Sequence, residues 1–342
     1  MRSSALVATV VVAMGLAACA TTAPQGLPPV AVMAKGETAP VGTMNEDAAD
    51  DPAIWRNADN PSQSLIVATD KKAGLYVYGL DGGIKSFLDA GAVNNVALME
   101  MADGSILVAA SDRNDLANSH IAFFELDVAS AQLTALGRSP SGPGEGYGMC
   151  LYGKDAVMAL AVLKDGTLRE YEIAENAPGE VPQMALTREL SVPSQPEGCA
   201  FDERNGTLYV GEENAGIWRF AAGATTGEIV APIDNQYLVA DVEGLAIAMS
   251  GEQGGYLIAS SQGDNAYAVF SLPEITPLGR FRIAEGAFGS TEETDGIELD
   301  TGAFGPDYPA GLFIAQDGQN GDAAQNFKLV SWADVKAALG LD

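Results

Sequence analysis

The sequence predicts an all-β fold, a six-bladed β-propeller of four-stranded antiparallel blades around a central channel. Three observations lead there. A polar or acidic residue, usually with a glycine beside it, precedes a short apolar run six times, at Asp51, Asn95, Tyr147, Glu197, Glu243 and Asp295, in steps of 44, 52, 50, 46 and 52 residues. Such a period marks a repeat fold whose units bury their faces against one another. Each copy is followed by runs with the period-two alternation of strands, and good helical pattern is confined to Trp332–Leu339 at the end of the chain.

The first copy, Asp47-Ala-Ala-Asp-Asp-Pro-Ala-Ile-Trp55, sets Asp50 beside Asp51, two carboxylates that repel unless a cation or hydrogen-bond donors lie between them. Second strands follow at Leu65–Asp70, Ile106–Asp112, Val157–Val162, Leu208–Glu213, Tyr256–Gln262 and Leu312–Asp317. Third strands alternate at Gly74–Tyr78, Ile121–Glu125, Thr167–Glu172, Gly216–Phe220, Ala266–Phe270 and Asn326–Val330. Val, Ile, Tyr and Phe favour strands, and the Gly, Asp and Asn clusters between the runs favour tight turns. Fourth strands are less regular, with Gln183–Arg188 and Pro277–Arg282 as candidates. Six such units make a propeller, and Val30–Met33 is expected to complete the last blade and close the ring.

Before the repeat, Arg2 precedes an apolar run, Ala5–Ala18, that is short for a membrane span. It ends Leu16-Ala-Ala-Cys19, which resembles a bacterial lipobox, so residues 1–19 are expected to be a lipoprotein-type signal and Cys19 the lipidated first residue; an ordinary cleaved signal peptide is the alternative. Residues 20–40 read as a flexible tether and 41–342 as the propeller. The expected location is an outer-membrane or periplasmic lipoprotein, otherwise periplasmic or secreted, with membrane contact through the anchor alone and a monomeric body. In an exported chain, Cys150 and Cys199 are either a disulfide between neighbouring blades or two buried thiols.

Acidic residues outnumber basic ones 46 to 18, a net charge of −28. That argues against nucleic acid and anionic lipid as partners and suits cations. Disorder is excluded because 47% of residues are hydrophobic and the acids lie between apolar runs. In a propeller the first strand of each blade lines the channel, so Asp51, Asn95, Tyr147, Glu197, Glu243 and Asp295 would ring one mouth, with Asp50 and Asp241 beside them. So many carboxylates raise one another's pKa unless hard cations neutralise them. Calcium fits an all-oxygen set. Zinc does not, since His120 is the only histidine. An acidic, solvated rim without bound metal is the alternative. The second strands end near the same face in Lys71, Lys72, Arg113, Lys164, Glu213 and Gln262. Basic residues beside carboxylate-held metal suit a phosphate ester; surface lysines paired with nearby acids are the bland alternative.

These residues carry a resemblance. The chain resembles the β-propeller phytases, the calcium-dependent alkaline type, over roughly Asp47 to Trp332. Asp47–Trp55 matches the first signature, and Asp70–Tyr78, Glu197-Gly, Asp241–Leu245, Ala259–Gly263, Glu293–Gly296 and Ala315–Gly318 match further stretches in order. The resemblance implies several calcium ions held by Asp50, Asp51, Tyr147, Glu197, Glu213, Asp241, Glu243, Gln262 and Asp295. It implies phosphate contacts from Lys71, Lys72, Arg113 and Lys164, with phytate or another polyphosphorylated small molecule, taken as its calcium complex, as substrate. The expected activity is that of a phosphoric monoester hydrolase of the 3-phytase type, in which a metal-activated water attacks phosphorus. Glu197 orients that water, and Glu197, Lys164 and Tyr147 are the expected catalytic residues. His120 stands in no Arg-His-Gly nucleophile motif and neither body cysteine in a cysteine-phosphatase loop. Three departures stand out. Where the family reads Asn-Asn-Val-Asp-Ile-Arg this chain has Asn94-Asn-Val-Ala97-Leu-Met99, and Gly289 stands where an Asp is usual. They place one calcium position and one phosphate contact in question. Two alternatives stay open: a propeller hydrolase of another ester class, against which Lys71, Lys72, Arg113 and Lys164 discriminate, and a weakly active or non-catalytic cell-surface propeller, which Ala97 and Met99 support.

Overall fold

A computed structural model of the chain describes residues 1, 25–153, 156–174 and 179–342. The signal segment, Cys19 and the start of the expected tether lie outside the described residues. Two short strands come first, β1 (Val30–Met33) and β2 (Gly36–Glu37). Blade one is β3 (Ala49–Trp55), β4 (Leu65–Asp70), β5 (Gly74–Gly79) and β6 (Ile84–Asp89); blade two is β7 (Val93–Glu100), β8 (Ile106–Asp112), β9 (Asn118–Asp127) and β10 (Gln132–Pro143). Blade three is β11 (Gly146–Tyr152), β12 (Val157–Leu163), β13 (Thr167–Ile173) and β14 (Met184–Ser191); blade four is β15 (Pro196–Asp202), β16 (Thr207–Glu212), β17 (Gly216–Phe220) and β18 (Glu228–Pro232). Blade five is β19 (Val242–Ser250), β20 (Gly254–Ser261), β21 (Ala266–Ser271) and β22 (Pro277–Ala284), and blade six is β23 (Ile297–Asp300), β24 (Leu312–Asp317) and β25 (Asn326–Ser331). Helix α1 (Trp332–Leu339) has the bounds its pattern predicts and ends at Gly340, whose positive φ of 67° suits glycine.

Every blade is a hydrogen-bonded meander with its first strand innermost. The inner strands pack in sequence, β3 on β7, β7 on β11 and onward until β23 returns to β3. The apolar core is six slabs between adjacent sheets rather than one centre. Ile66, Tyr76 and Tyr78 of blade one face Phe327 and Leu329 of blade six in one slab. Tyr267, Phe281 and Phe313 meet edge to face in the slab between blades five and six.

The segment expected as a tether is ordered from its first described residues. β1 lies parallel to β22 as a fifth strand of blade five. It is the two-residue β2, antiparallel to β25, that completes blade six. The strand expected to close the ring therefore sits one blade earlier, and the closing strand is too short to show alternation. The same strap continues to blade one, where the Ala39 N–H donates to the Gly82 carbonyl at 2.8 Å.

The inner strands share an irregularity that sets the site. In blades one to five the register between first and second strand slips by one residue at the mouth, between Ala49 and Pro52, Val93 and Val96, Gly146 and Met149, Pro196 and Cys199, and Val242 and Leu245. Each slip is a β-bulge, two residues opposing one on the partner. Its members are Asp50–Asp51, Asn94–Asn95, Tyr147–Gly148, Glu197–Gly198 and Glu243–Gly244, and Asp295–Gly296 occupies the same place before β23. The second member presses on the next inner strand. A Cβ on Gly148 would lie 2.0 Å from the Glu197 carbonyl oxygen, and one on Gly198 2.3 Å from that of Glu243. The glycines of the repeated motif are thus required by close packing around the ring.

Candidate active site and metal centre

The bulges decide which side chains reach the mouth. Their first members are Asp50, Asn94, Tyr147, Glu197, Glu243 and Asp295. Four of these belong to the expected ring; in blades one and two the bulge puts Asp50 and Asn94 in that place and Asp51 and Asn95 where the other blades carry glycine. The Asp51 carboxylate accepts the Val96 N–H at 3.0 Å, bolting β3 to β7. It also lines, with Asn95, Ala97, Met149 and Glu298, a channel cavity of about 260 Å³. The Asn95 amide lies 3.2 Å from Glu197 Oε1 and 3.1 Å from the Tyr147 carbonyl.

On one side of the mouth Glu197, Glu213 and Glu243 converge, each buried, with carboxylate oxygens all within 4.8 Å of one another. Burial raises the Glu197 and Glu243 carboxyls well above the usual range, and each is pushed further by nearby acids, Asp50 and Asp295 on Glu197 and Glu197 and Asp295 on Glu243. Glu213 is raised by burial too, with the Asp241 charge adding and the Gln195 amide opposing. Asp241 is raised by burial. Across the mouth, Gln262 Nε2 donates to Asp295 Oδ1 at 2.6 Å, and burial, with Asp50 and Asp47 nearby and Lys71 opposing, carries Asp295 up to about 7. All donors here are oxygens. Among the described residues the buried Glu243 Oε2 has no hydrogen-bond partner. A buried acceptor without a partner among convergent carboxylates fits a hard cation. His120 is remote, its ring nitrogen on the Asn118 carbonyl of β9.

The cations are held by acids on the same rim. Lys71 Nζ lies 2.8 Å from Asp47, 2.9 Å from Asp50 and 3.0 Å from Asp295. Burial alone would lower the Lys71 pKa, but Asp50, Asp295 and Asp47 outweigh it and raise it. The Tyr147 ring lies under two cations, with Arg113 Cζ 5.3 Å and Lys164 Nζ 4.8 Å from its centroid. Burial, and then Glu197, Glu243 and Asp50, keep its phenol protonated. Arg113 and Lys164 both reach Glu145. Lys72 stands apart, 46% exposed and 3.9 Å from Glu46.

Asp47, Asn94 and Glu145 belong to this site and were missed as site residues. Asn94, 1% exposed, donates to Asp50 Oδ1 at 3.2 Å and Glu197 Oε1 at 2.9 Å and accepts from Arg113 at 2.9 Å, so it joins the two sides of the rim. The bulge explains the miss, for it gives each first strand two candidates where alternation allows one. Thr69, Ser111, Ser260 and Gln316 oppose the bulges; the first two and Gln316 bond to the bulge backbone of their own blade, and Ser260 reaches the residue before Asp295 in the next blade. Thr69 accepts the Asp51 N–H, Ser111 the Asn95 N–H and Gln316 the Asp295 N–H, while Ser260 donates to the Thr294 carbonyl. Their signal was a polar residue after Ala in the second strands.

Two departures prove remote from the mouth. Met99 lies five strand positions beyond Asn94, roughly 16 Å along β7, beside Glu100, Gly153 and Val157. Ala97 packs at the edge of the slab between blades two and three and borders the channel cavity. Neither can contact a phosphate at the rim. A side chain at Gly289 would meet the buried Lys328 ammonium, 3.3 Å from the position of its Cβ, which Glu37 and Asp317 hold at 2.7 and 3.0 Å. Cys150 and Cys199 form a disulfide between β11 and β15.

The chain matches the family described as Phytase over residues 2–342. A 3-phytase of Bacillus subtilis (strain 168) is 37% identical over 329 residues, covering 90% of this chain and 85% of that protein.

Proposed function

The chain belongs to the phytase family and hydrolyses phytate, and we propose that it does so with calcium ions held at the channel mouth. Glu197, Glu213, Glu243 and Asp241 would hold them on one side, Asp50, Asp295 and Gln262 on the other, with Tyr147 between and Asp51 below. The observation that carries this is the buried convergence of Glu197, Glu213 and Glu243 around an unpaired carboxylate oxygen. When bound, calcium supplies charge neutralisation and Lewis-acid polarisation of phosphate oxygens. Lys164 and Arg113, poised over Tyr147, bind the phosphate to be cleaved, and Lys71 and Lys72 a neighbouring one. Glu197, fixed by Asn94, orients the attacking water and takes its proton. The new P–O bond forms opposite the ester oxygen, which leaves with the bonding electron pair and takes a proton from solvent water, giving a lower inositol phosphate and inorganic phosphate. Activity is expected to vanish in chelator and return with calcium; undiminished phosphate release from phytate in excess chelator would refute the metal assignment.

The lipobox-like Leu16–Cys19 supports export with a lipid on Cys19, and the disulfide, a bond of oxidising compartments, supports export. Mass spectrometry of the mature N-terminus checks this, and an unmodified N-terminus beyond Cys19 contradicts it.

A further inference from the structure

Two of the rim groups, Asp241 and Gln262, sit on loops rather than on inner strands, so something outside the ring must fix them. The Gln262 N–H donates to the Asp241 carbonyl at 3.0 Å, and Gly263 lies so close that a Cβ there would be 1.7 Å from the Ala240 carbonyl oxygen. The two loops therefore move together. Behind them stands a buried ion pair, Asp264 with Arg280, whose side chains are 5% and 1% exposed. Asp264 is the last residue of the short turn that begins at Gln262. Ser261, fully buried, links the pair to the other loop, with its Oγ 2.9 Å from Asp264 Oδ1, 3.3 Å from Arg280 Nη2 and accepting the Val239 N–H at 2.9 Å.

The pair is completed from outside by the N-terminal strap. The Gly26 N–H donates to Asp264 Oδ2 at 2.8 Å, Arg280 Nη1 donates to the Leu27 carbonyl at 2.8 Å, and the Leu27 N–H donates to the Gln236 carbonyl at 2.7 Å. Gly26 is required where it lies, since a Cβ there would stand 2.1 Å from Arg280 Nη1 and 2.6 Å from the Gln236 carbonyl. A buried ion pair keeps its geometry through the hydrogen bonds of its remaining donors and acceptors; here the strap supplies one of each, and among the described residues Arg280 Nε alone of the pair is left without a partner.

We propose that Asp264, Arg280 and the seated Gly26–Leu27 strap form a positioning device for the metal rim, so that the cation affinity of Asp241 and Gln262 depends on the strap being in place. None of the three touches substrate. Groups that orient metal ligands from behind typically alter affinity tenfold or more when lost. The inference rests on the calcium reading of the rim.

The test is a terbium(III) titration of the full chain by luminescence, a probe of calcium sites, with thermal unfolding in chelator recorded alongside. Gly26→Ala, which unseats the strap, and Asp264→Asn, which breaks the pair, should each weaken terbium binding about tenfold. Combined, they should weaken it little more than the larger single effect, as parts of one device do. Glu170→Gln, which breaks the Arg188–Glu170 pair of blade three, should lower the melting temperature and leave terbium affinity unchanged. Unchanged affinity in Gly26→Ala and Asp264→Asn, or an equal loss in Glu170→Gln, would overturn the positioning role while leaving the calcium reading intact. A wild-type chain that binds neither terbium nor calcium would overturn both.

Discussion

Glu197 carries more of the site than any other residue. The residue is 3% exposed, and its carboxylate accepts from Asn94 and lies against Glu243. Above the raised pKa of the pair both carboxylates are charged at close quarters, an arrangement that a cation relieves. Glu197→Gln keeps the shape and removes one charge. At pH 8 turnover on phytate should fall on the order of a hundredfold or more, the scale of a lost general base. The melting temperature in chelator should hold or rise, because a buried repulsion is gone. Phosphate release and calorimetry on the same preparation check both, and near-normal turnover would remove Glu197 from the proton-transfer role. Lys71 illustrates a different point. Its ammonium is tied to three carboxylates, so a phosphate must compete with them, and only neutralisation of the same carboxylates frees it.

At the scale of the strand, the bulge is the repeating functional unit. It turns the first side chain to the mouth and sets the second against the neighbouring inner strand, which is why the second is glycine in blades three to six. Gly198→Ala would place a methyl 2.3 Å from the Glu243 carbonyl oxygen and force β15 from β19. The expected cost is roughly 1–3 kcal/mol, typical of overpacking, measured by denaturant unfolding in calcium-free buffer. Because Glu197 and Glu243 flank that contact, calcium affinity should fall with stability. The disulfide ties β11 to β15 below Tyr147 and Glu197 and closes a chain segment of 49 residues. Replacing both cysteines with serine should cost about 2–4 kcal/mol, read from the same unfolding curves. A double mutant as stable as the wild type would mean that interblade packing alone fixes this edge.

The whole molecule combines a ring closed by a short strap with a net charge of −28. On the proposed calcium reading, an ion that binds only the native state would stabilise it by about 2.7 kcal/mol per site at a hundredfold excess over the dissociation constant, so chelator should lower the melting temperature by several degrees. The pH dependence follows from burial of the rim acids. Asp295 titrates at about 7 in the fold against an ordinary value of 3.8, and burial raises Glu298 in the channel from 4.5 to about 8, with Asp300 adding. Between pH 5 and 8 the native state thus holds more protons than the unfolded chain. Their stabilising contribution is complete below the unfolded values and is lost as pH rises through 7 to 8, by about 1.4 kcal/mol per pH unit for each proton of difference. Acids with lowered pKa, such as Asp202 beside Arg204, act below this window. In chelator the melting temperature should therefore fall from pH 5 to 8, and on the proposed calcium reading added calcium should reverse the trend, since a cation would bind the deprotonated rim. A melting temperature that climbs with pH in chelator would contradict the raised values.

What the sequence determined by itself was whatever local chemistry dictates. Alternation and turn residues fixed the strands, often to the residue, as at Leu65–Asp70, Ile106–Asp112 and Leu312–Asp317. The fifty-residue period fixed the blades, and Tyr147, Glu197, Glu243 and Asp295 stood out because each precedes a glycine that the ring demands. Tertiary structure decided what depends on contacts between blades. A bulge adds a residue without a local signature, so Asp50 and Asn94, not their neighbours, complete the ring, and Ala97 and Met99 fall along the channel instead of at its mouth. The short β2 closes the circle because of what it meets on β25, and the strap that reads as a tether orders because Asp264 and Arg280 wait for its backbone. Those partners lie more than two hundred residues away. Periodicity in a chain records the face each strand buries; it holds no record of which distant segment covers it.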